Sequence, residues 1–304
     1  MIPKEIFQKI RRIQITSSRI VSDVFAGQYH SIFKGRGMEF DEVREYLIGD
    51  DIRTIDWNVT ARTGRVHIKK YVEERELTVM LLVDASRSCH FGSVRELKSQ
   101  LAAEIAALLA FAAIQNNDKV GLIIFTDRIE KFIPPRRGLR HVLRVIREVL
   151  YFQPRSPHTD ITQALDYLNK VTTRRCVSFL ISDFFEHHQA SSQVMDADPA
   201  WRQSMAIAHQ RHDMIAITLN DPLEQELKPV GLMEWEDAET GKRILVDATD
   251  RDLLRKYRAM ALKRLKARDQ LFESLGMDHI DISTDRPYAD EMIKFFLKRR
   301  KKFR

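Results

Sequence analysis

The stretch that decides the fold is Thr78-Val-Met-Leu-Leu-Val83 running into Asp84-Ala-Ser86-Arg-Ser88. A continuous apolar run that ends at a carboxylate reads as a strand buried on both faces, the kind found inside a parallel sheet. In an extended turn alternate side chains point the same way, so Asp84, Ser86 and Ser88 can converge on one point. Three oxygen-bearing side chains at the mouth of a sheet suit a hard cation such as Mg2+, which takes oxygen ligands in an octahedron and keeps waters. The competing account makes the serines caps of the helix that follows.

The same texture recurs downstream. Val120-Gly-Leu-Ile-Ile-Phe125, Cys176-Val-Ser-Phe-Leu-Ile181, Met214-Ile-Ala-Ile-Thr-Leu219 and His279-Ile-Asp-Ile-Ser283 read as strands, with a short one near Ile129–Ile133. Helical patterns separate them: an amphipathic one over Val94–Gln115 stopped by Asn116-Asn-Asp118, then Gly138–Tyr151, Ile161–Thr172 and a long basic one over Asp250–Leu275. A hairpin turning at Glu239-Thr-Gly-Lys242 is inserted near 232–247. Strands alternating with helices imply an α/β fold, a mostly parallel sheet covered on both faces. Ligands bind such sheets beyond the carboxyl ends of the strands, where the strand order reverses.

That rule draws in two more positions. Asp183 follows the strand that begins at Cys176 and puts a second carboxylate on the same edge. Thr159-Asp160 lies in a loop before a helix and offers a hydroxyl from a third loop. Each alone could be a helix cap. Together with Asp84, Ser86 and Ser88 they form one expected site.

The first 75 residues have a different texture. A helical pattern covers Lys4 to about Phe25, a turn Gly35-Arg-Gly37 follows, and Thr54–Thr60 alternates with Ile55, Trp57 and Val59 on one face. The turn Thr63-Gly-Arg65 leads to a second alternating run with Val66 and Ile68, so a small β-hairpin is expected. The domain division expected is 1–75 and 76–304.

Of 304 residues, 44% are hydrophobic and 31% charged, which excludes a wholly disordered chain. The net charge of +7 is concentrated: Lys298-Arg-Arg-Lys-Lys-Phe-Arg304 holds six positive charges, and setting those aside leaves +1. The run follows Ile293-Lys-Phe-Phe-Leu297, read as the end of a last helix, so it is expected to be a tail that touches an anionic membrane surface or an acidic partner. Two cysteines without a CxxC pair exclude a disulfide framework and a thiolate zinc site. The chain opens without a secretory signal, and its longest apolar stretch, Leu101–Ile114, is too short to span a bilayer. A cytoplasmic protein, peripheral at most to the inner membrane, is expected.

Asp84-x-Ser86-x-Ser88, then Thr159, then Asp183 resembles the metal-ion-dependent adhesion site of von Willebrand factor type A domains. The preceding segment resembles the bacterial family called domain of unknown function 58. The residues that carry this are Gly35-Arg-Gly-Met-Glu-Phe40, Arg44-Glu-Tyr46, Gly49-Asp-Asp-Ile-Arg53, Ile55-Asp-Trp57, Ala61-Arg62 and Val72-Glu-Glu-Arg-Glu76. The resemblance implies a von Willebrand type A sandwich with a small N-terminal β extension. It implies that Asp84, Ser86, Ser88, Thr159 and Asp183 hold Mg2+, with Mn2+ or Ca2+ as alternatives, and that a partner's Asp or Glu completes the metal shell. It also implies a non-enzymatic adaptor that works with a MoxR-type AAA+ ATPase.

The rival chemistries lack parts. A phosphatase of the haloacid dehalogenase type needs an acid two residues after its aspartate, where Ser86 stands. No GxxxxGK[ST] loop occurs. A serine nucleophile would need a partnered histidine, and His90 is too close along the chain to Ser86 to imply a triad. His187-His188 reads as a solvent-facing pair, Cys89 as an inert buried thiol, and the basic residues after Asp250 as the wet face of a packed helix, so nucleic acid is not expected. Asp50-Asp51, Arg53, Asp56 and Arg62 read as a network of surface ion pairs around Trp57. The rival account makes Arg53, Asp56 and Arg62, with Asp160, a partner-docking face beside the metal site.

Overall fold

The computed structural model describes residues 39–72, 77–94, 96–185, 198–237 and 241–302. The expected helix over Lys4–Phe25, the Gly35–Gly37 turn and His187-His188 lie outside them. Packing divides the chain into two units, one of Phe33–Leu77 and one that includes Thr78–Arg304.

In the smaller unit β1 (Glu39–Glu45) pairs antiparallel with β2 (His67–Val72), Glu45 opposite His67 and Arg44 opposite Ile68. The expected hairpin therefore exists, with a different first strand. Thr54–Thr60 is not a strand: Trp57–Thr63 forms helix α1. The Asp56 carboxylate accepts from the Asn58 and Val59 amides at 3.0 and 3.2 Å, and Gly64 closes the helix at φ +74°. The two caps outweigh a period-two pattern only seven residues long. Trp57 is 68% exposed and anchors nothing.

The larger unit holds β3 (Thr78–Asp84), α2 (Lys98–Gln115), β4 (Lys119–Phe125), β5 (Ile129–Arg136), α3 (Leu139–Leu150), α4 (Ile161–Val171) and β6 (Val177–Ser182). It continues with α5 (Arg202–Arg211), β7 (Asp213–Asn220), the short α6 (Pro222–Gln225), β8 (Leu232–Glu236), β9 (Arg243–Asp247), α7 (Arg251–Ser274), β10 (Asp278–Ser283) and α8 (Tyr288–Lys302). Six strands make one sheet in the order β10-β7-β6-β3-β4-β5. All neighbours are parallel except β5, an antiparallel edge strand that contains Pro134-Pro135. Strands β8 and β9 form the expected inserted hairpin. The unit is an α/β sandwich, a mostly parallel six-stranded sheet with helices packed on both faces.

Alternation along the strands feeds two cores. Met80, Leu82, Ile123, Phe125 and Leu180 join Leu165 and Leu168 of α4, Met205 of α5 and Phe272 of α7 in one buried cluster. Leu81, Leu122 and Phe179, the alternates, are also fully buried, and α2 packs on β3, β4 and β7. Helix α2 departs from expectation: it is buried on nearly every side rather than amphipathic, because small alanines let it sit deep between the sheet and α3. Asn117 at φ +60° ends its path, as the polar run predicted.

Part of the basic C-terminal run is folded into the unit. Helix α8 continues through it to Lys302, and Arg299 is 4% exposed. Its guanidinium donates to both Asp213 oxygens at 2.6 and 2.5 Å and lies 3.4 Å from Asp278. Arg299 thus ties α8 to the first residues of β7 and β10. No helix of the described residues is long and apolar enough to cross a membrane.

Candidate functional site

The strand order reverses at β3, whose neighbours β4 and β6 lead to opposite edges. The carboxyl ends of β3 and β6 flank that point, and the sequence-derived site falls there. Asp84 ends β3 and is 2% exposed. Its Oδ1 accepts the Ser86 amide at 2.9 Å, and its Oδ2 accepts the Ser182 hydroxyl at 2.6 Å. The Ser86 and Ser88 hydroxyl oxygens lie 3.0 Å apart. The loop that carries Thr159 is sewn to this turn: the Arg87 amide donates to the Pro157 carbonyl at 3.0 Å, and the Asp160 amide to the Thr126 carbonyl at 3.0 Å.

Thr159 is the odd member of the set. Its hydroxyl is buried and has no hydrogen-bond partner among the described residues. A buried polar atom left unpaired costs about 1–3 kcal/mol.

Asp183 lies just past β6. Its Oδ1 accepts the Phe185 amide at 3.1 Å and its Oδ2 accepts the Lys98 ammonium at 2.7 Å. The same ammonium donates to Glu224 Oε1 at 2.7 Å. Lys98 is fully buried, and although burial opposes its charge, Asp183 and Glu224 outweigh that and raise its pKa above the ordinary lysine value. Burial first, and the Asp183 charge second, push the Asp84 carboxyl up to about 7. Burial, reinforced by both aspartates, also drives the Cys89 thiol well above its usual range, so it stays protonated and inert as expected. Ligand atoms of Asp84, Cys89 and Asp183 all lie within 4.8 Å of one another.

The turn after β6 is held in a costly conformation. Phe184 adopts φ +58°, a region that ordinary side chains avoid at about 1 kcal/mol or more. Its amide donates to the Ser182 hydroxyl at 3.0 Å, and its ring packs edge-on against Trp201 and Phe272, at 5.5 and 5.2 Å between centroids. That packing pins Asp183 at one end of the turn and sets Phe185 at the other.

The residues fit a hard cation. Asp84, Ser86, Ser88, Thr159 and Asp183 are all oxygen donors on one sheet edge, and the carboxylates keep lone pairs beyond those already engaged. Of the residues expected to meet a partner, Asp160 caps α4 by accepting the Gln163 amide at 3.1 Å. Arg53, Asp56 and Arg62 belong to the smaller unit, where Asp56 caps α1 and lies 3.6 Å from Lys69. Of the expected ion-pair network, Asp50 pairs with Arg44 and Asp56 with Lys69, while Arg53 and Arg62 make no ion pair among the described residues.

Sequence reasoning missed Lys98, Ser182 and Glu224. One signal was available for Lys98: a cation in the first turn of a helix runs against the helix dipole, which marks a lysine held there by acids. Ser182 and Glu224 lie 98 and 126 residues from Asp84 and Lys98, and no local pattern joins them.

The family model described as "Protein of unknown function DUF58" matches residues 42–267. An uncharacterized protein from Mycobacterium bovis is 29% identical over 297 residues, covering 96% of this chain and 89% of its own length. Two solved structures each align with 74% of this chain and 99% of their own. An aerotolerance-related membrane protein from Bacteroides fragilis is 14% identical at a TM-score of 0.48. The conserved hypothetical protein BatB from Bacteroides thetaiotaomicron is 13% identical at 0.46.

Proposed function

Because the chain belongs to the DUF58 family and carries a polar site at the switch point of a von Willebrand type A-like sheet, we propose that it is a metal-dependent protein-interaction module. Asp84, Ser86, Ser88, Thr159 and Asp183 would hold Mg2+, with Mn2+ or Ca2+ as substitutes. The observation that carries this is the buried Thr159 hydroxyl without a partner. A bound divalent ion supplies an electrophilic position that one further anionic oxygen, from a partner's Asp or Glu, can fill. The chain's own residues prepare that position: Ser182 and the Ser86 amide orient Asp84, and the Pro157 carbonyl holds the serine turn against the threonine loop.

A non-enzymatic role is the better reading of the same geometry. His90 Nδ1 faces the Ser86 carbonyl at 3.3 Å rather than a serine hydroxyl, so this histidine is not placed as the base of a serine nucleophile. A phosphatase of the haloacid dehalogenase type would need an acid two residues after Asp84, where Ser86 stands. The partner class, a MoxR-type AAA+ ATPase, follows from the family resemblance and from no residue of this chain.

Isothermal titration of Mg2+ into wild type, Asp84→Ala and Thr159→Val tests the site. Wild type should bind, Asp84→Ala should lose binding and Thr159→Val should weaken it severalfold. Equal binding by all three refutes the assignment.

A further inference from the structure

A cavity of about 720 Å3 opens between the Asp183–Phe185 turn and α7, and Asp183 is part of its wall. Two of its other wall residues have chemistry that the metal site does not use. Trp201 is 2% exposed, and its indole N–H is buried with no acceptor among the described residues. Arg264 stacks its guanidinium on Phe185, 4.2 Å from the ring centre, and makes one long hydrogen bond at 3.5 Å to the Glu224 carbonyl.

Arg264 contrasts with its neighbours on the same helix. Arg258 pairs with Glu226 at 3.1 Å and Arg268 with Asp281 at 2.7 Å, whereas Arg264 has no carboxylate partner among the described residues. A guanidinium stacked on an aromatic face keeps its in-plane N–H groups available, and those form the fork that grips a carboxylate through two bonds. Lys266, Arg202 and Arg268 on the same wall add positive charge, against the acids Asp183, Asp198 and Glu224. Burial holds the Arg264 pKa below its usual value, while the charges of Glu224 and Asp183 act the other way.

We propose that this cavity seats an acidic peptide segment of the protein partner. Arg264 takes one carboxylate of the segment, and the Trp201 N–H takes a second acceptor on it. Another acid of the same segment reaches the Asp84–Ser86–Ser88 position. This rests on the metal-dependent reading for the second acid only. The partner is therefore a segment with two nearby acids rather than a single Asp or Glu, and cavity and metal position act as two halves of one recognition surface.

The test is a random dodecapeptide phage library panned on the full chain in Mg2+, followed by titration of the enriched peptides as synthetic probes. Enriched peptides should carry two acids, and Arg264→Gln should weaken them about tenfold or more. Arg258→Gln, on the same helix, should not. Trp201→Phe removes the N–H together with part of a buried ring, so it should weaken binding severalfold and also lower the melting temperature. Enriched peptides without acids, indifference to Arg264→Gln, or no enrichment at all overturns the proposal. Binding that needs Arg264 but survives chelator upholds the cavity and refutes the metal reading. Binding that needs Mg2+ but ignores Arg264 does the reverse.

Discussion

Replacing Lys98 by Met keeps an unbranched side chain of similar length and removes one charge. In the folded chain that charge touches Asp183 and Glu224 at 2.7 Å each, with Lys98 at 0% and the Asp183 side chain at 2% exposure. Removing one partner of a buried ion pair strands the other, at a cost of about 3–5 kcal/mol. Glu224 keeps 23% exposure, so water relieves it and the penalty falls mainly on Asp183. Against a total stability of about 5–15 kcal/mol this is a large fraction. With a urea slope of about 3 kcal/mol/M, the unfolding midpoint should fall by about 1 M or more. Lys98→Met/Glu224→Gln should recover part of the loss, because the two carboxylates no longer repel. Mg2+ should raise the midpoint of Lys98→Met more than that of wild type, since the acids have lost their internal cation. A single-variant loss below about 1 kcal/mol, with no coupling to Glu224, would refute the view that Lys98 is the counter-charge of this site.

Two further outcomes follow from groups remote from the site. His212 is 1% exposed, its Nδ1 3.4 Å from the Cys176 amide that donates to it and its Nε2 3.1 Å from the Thr172 hydroxyl, an arrangement that fits the neutral ring. Burial, then the charges of Arg211 and Arg175, depress its pKa to about 4. The unfolded chain binds the proton more readily, so this contribution is complete above about 6.5 and lost as pH falls toward 4, up to roughly 3 kcal/mol. Urea midpoints at pH 7.5 and 4.5 should differ less in His212→Gln than in wild type, and an unchanged difference would exclude the mechanism. Arg299→Met should cost about 2–4 kcal/mol and speed amide exchange along α8, because Asp213 and Asp278 lose their shared counter-ion. Unaltered exchange there would show that the helix is held by its apolar face alone.

The strands of the sheet were legible because each is a short apolar run closed by a polar residue, and Asp84 and Asp183 were legible because they close two of them. The first unit was misread where two signals compete. Ile55, Trp57 and Val59 alternate, but Asp56 and Gly64 are also a cap pair at helical spacing, and the caps decide a segment this short. Arg299 of the C-terminal charge run was misread because charge alone says nothing about partners: it pairs with Asp213 and Asp278, 86 and 21 positions away. Lys98 was hidden for the same reason. Long-range pairing of charge is a property of the assembled sheet, and periodicity does not encode it.

The two prolines of β5 have a consequence for how the protein associates. An open sheet has two rims of unpaired backbone groups, and either rim invites a second copy to add its own strand. On one rim β5 contains Pro134-Pro135, and since successive N–H groups point to opposite edges, one of the two removes a donor from the outer edge. On the other rim β10 begins with Asp278 and carries Asp281, and these acids engage Arg299 and Arg268. Neither rim is a good template, so strand-to-strand stacking and the aggregation it brings are disfavoured.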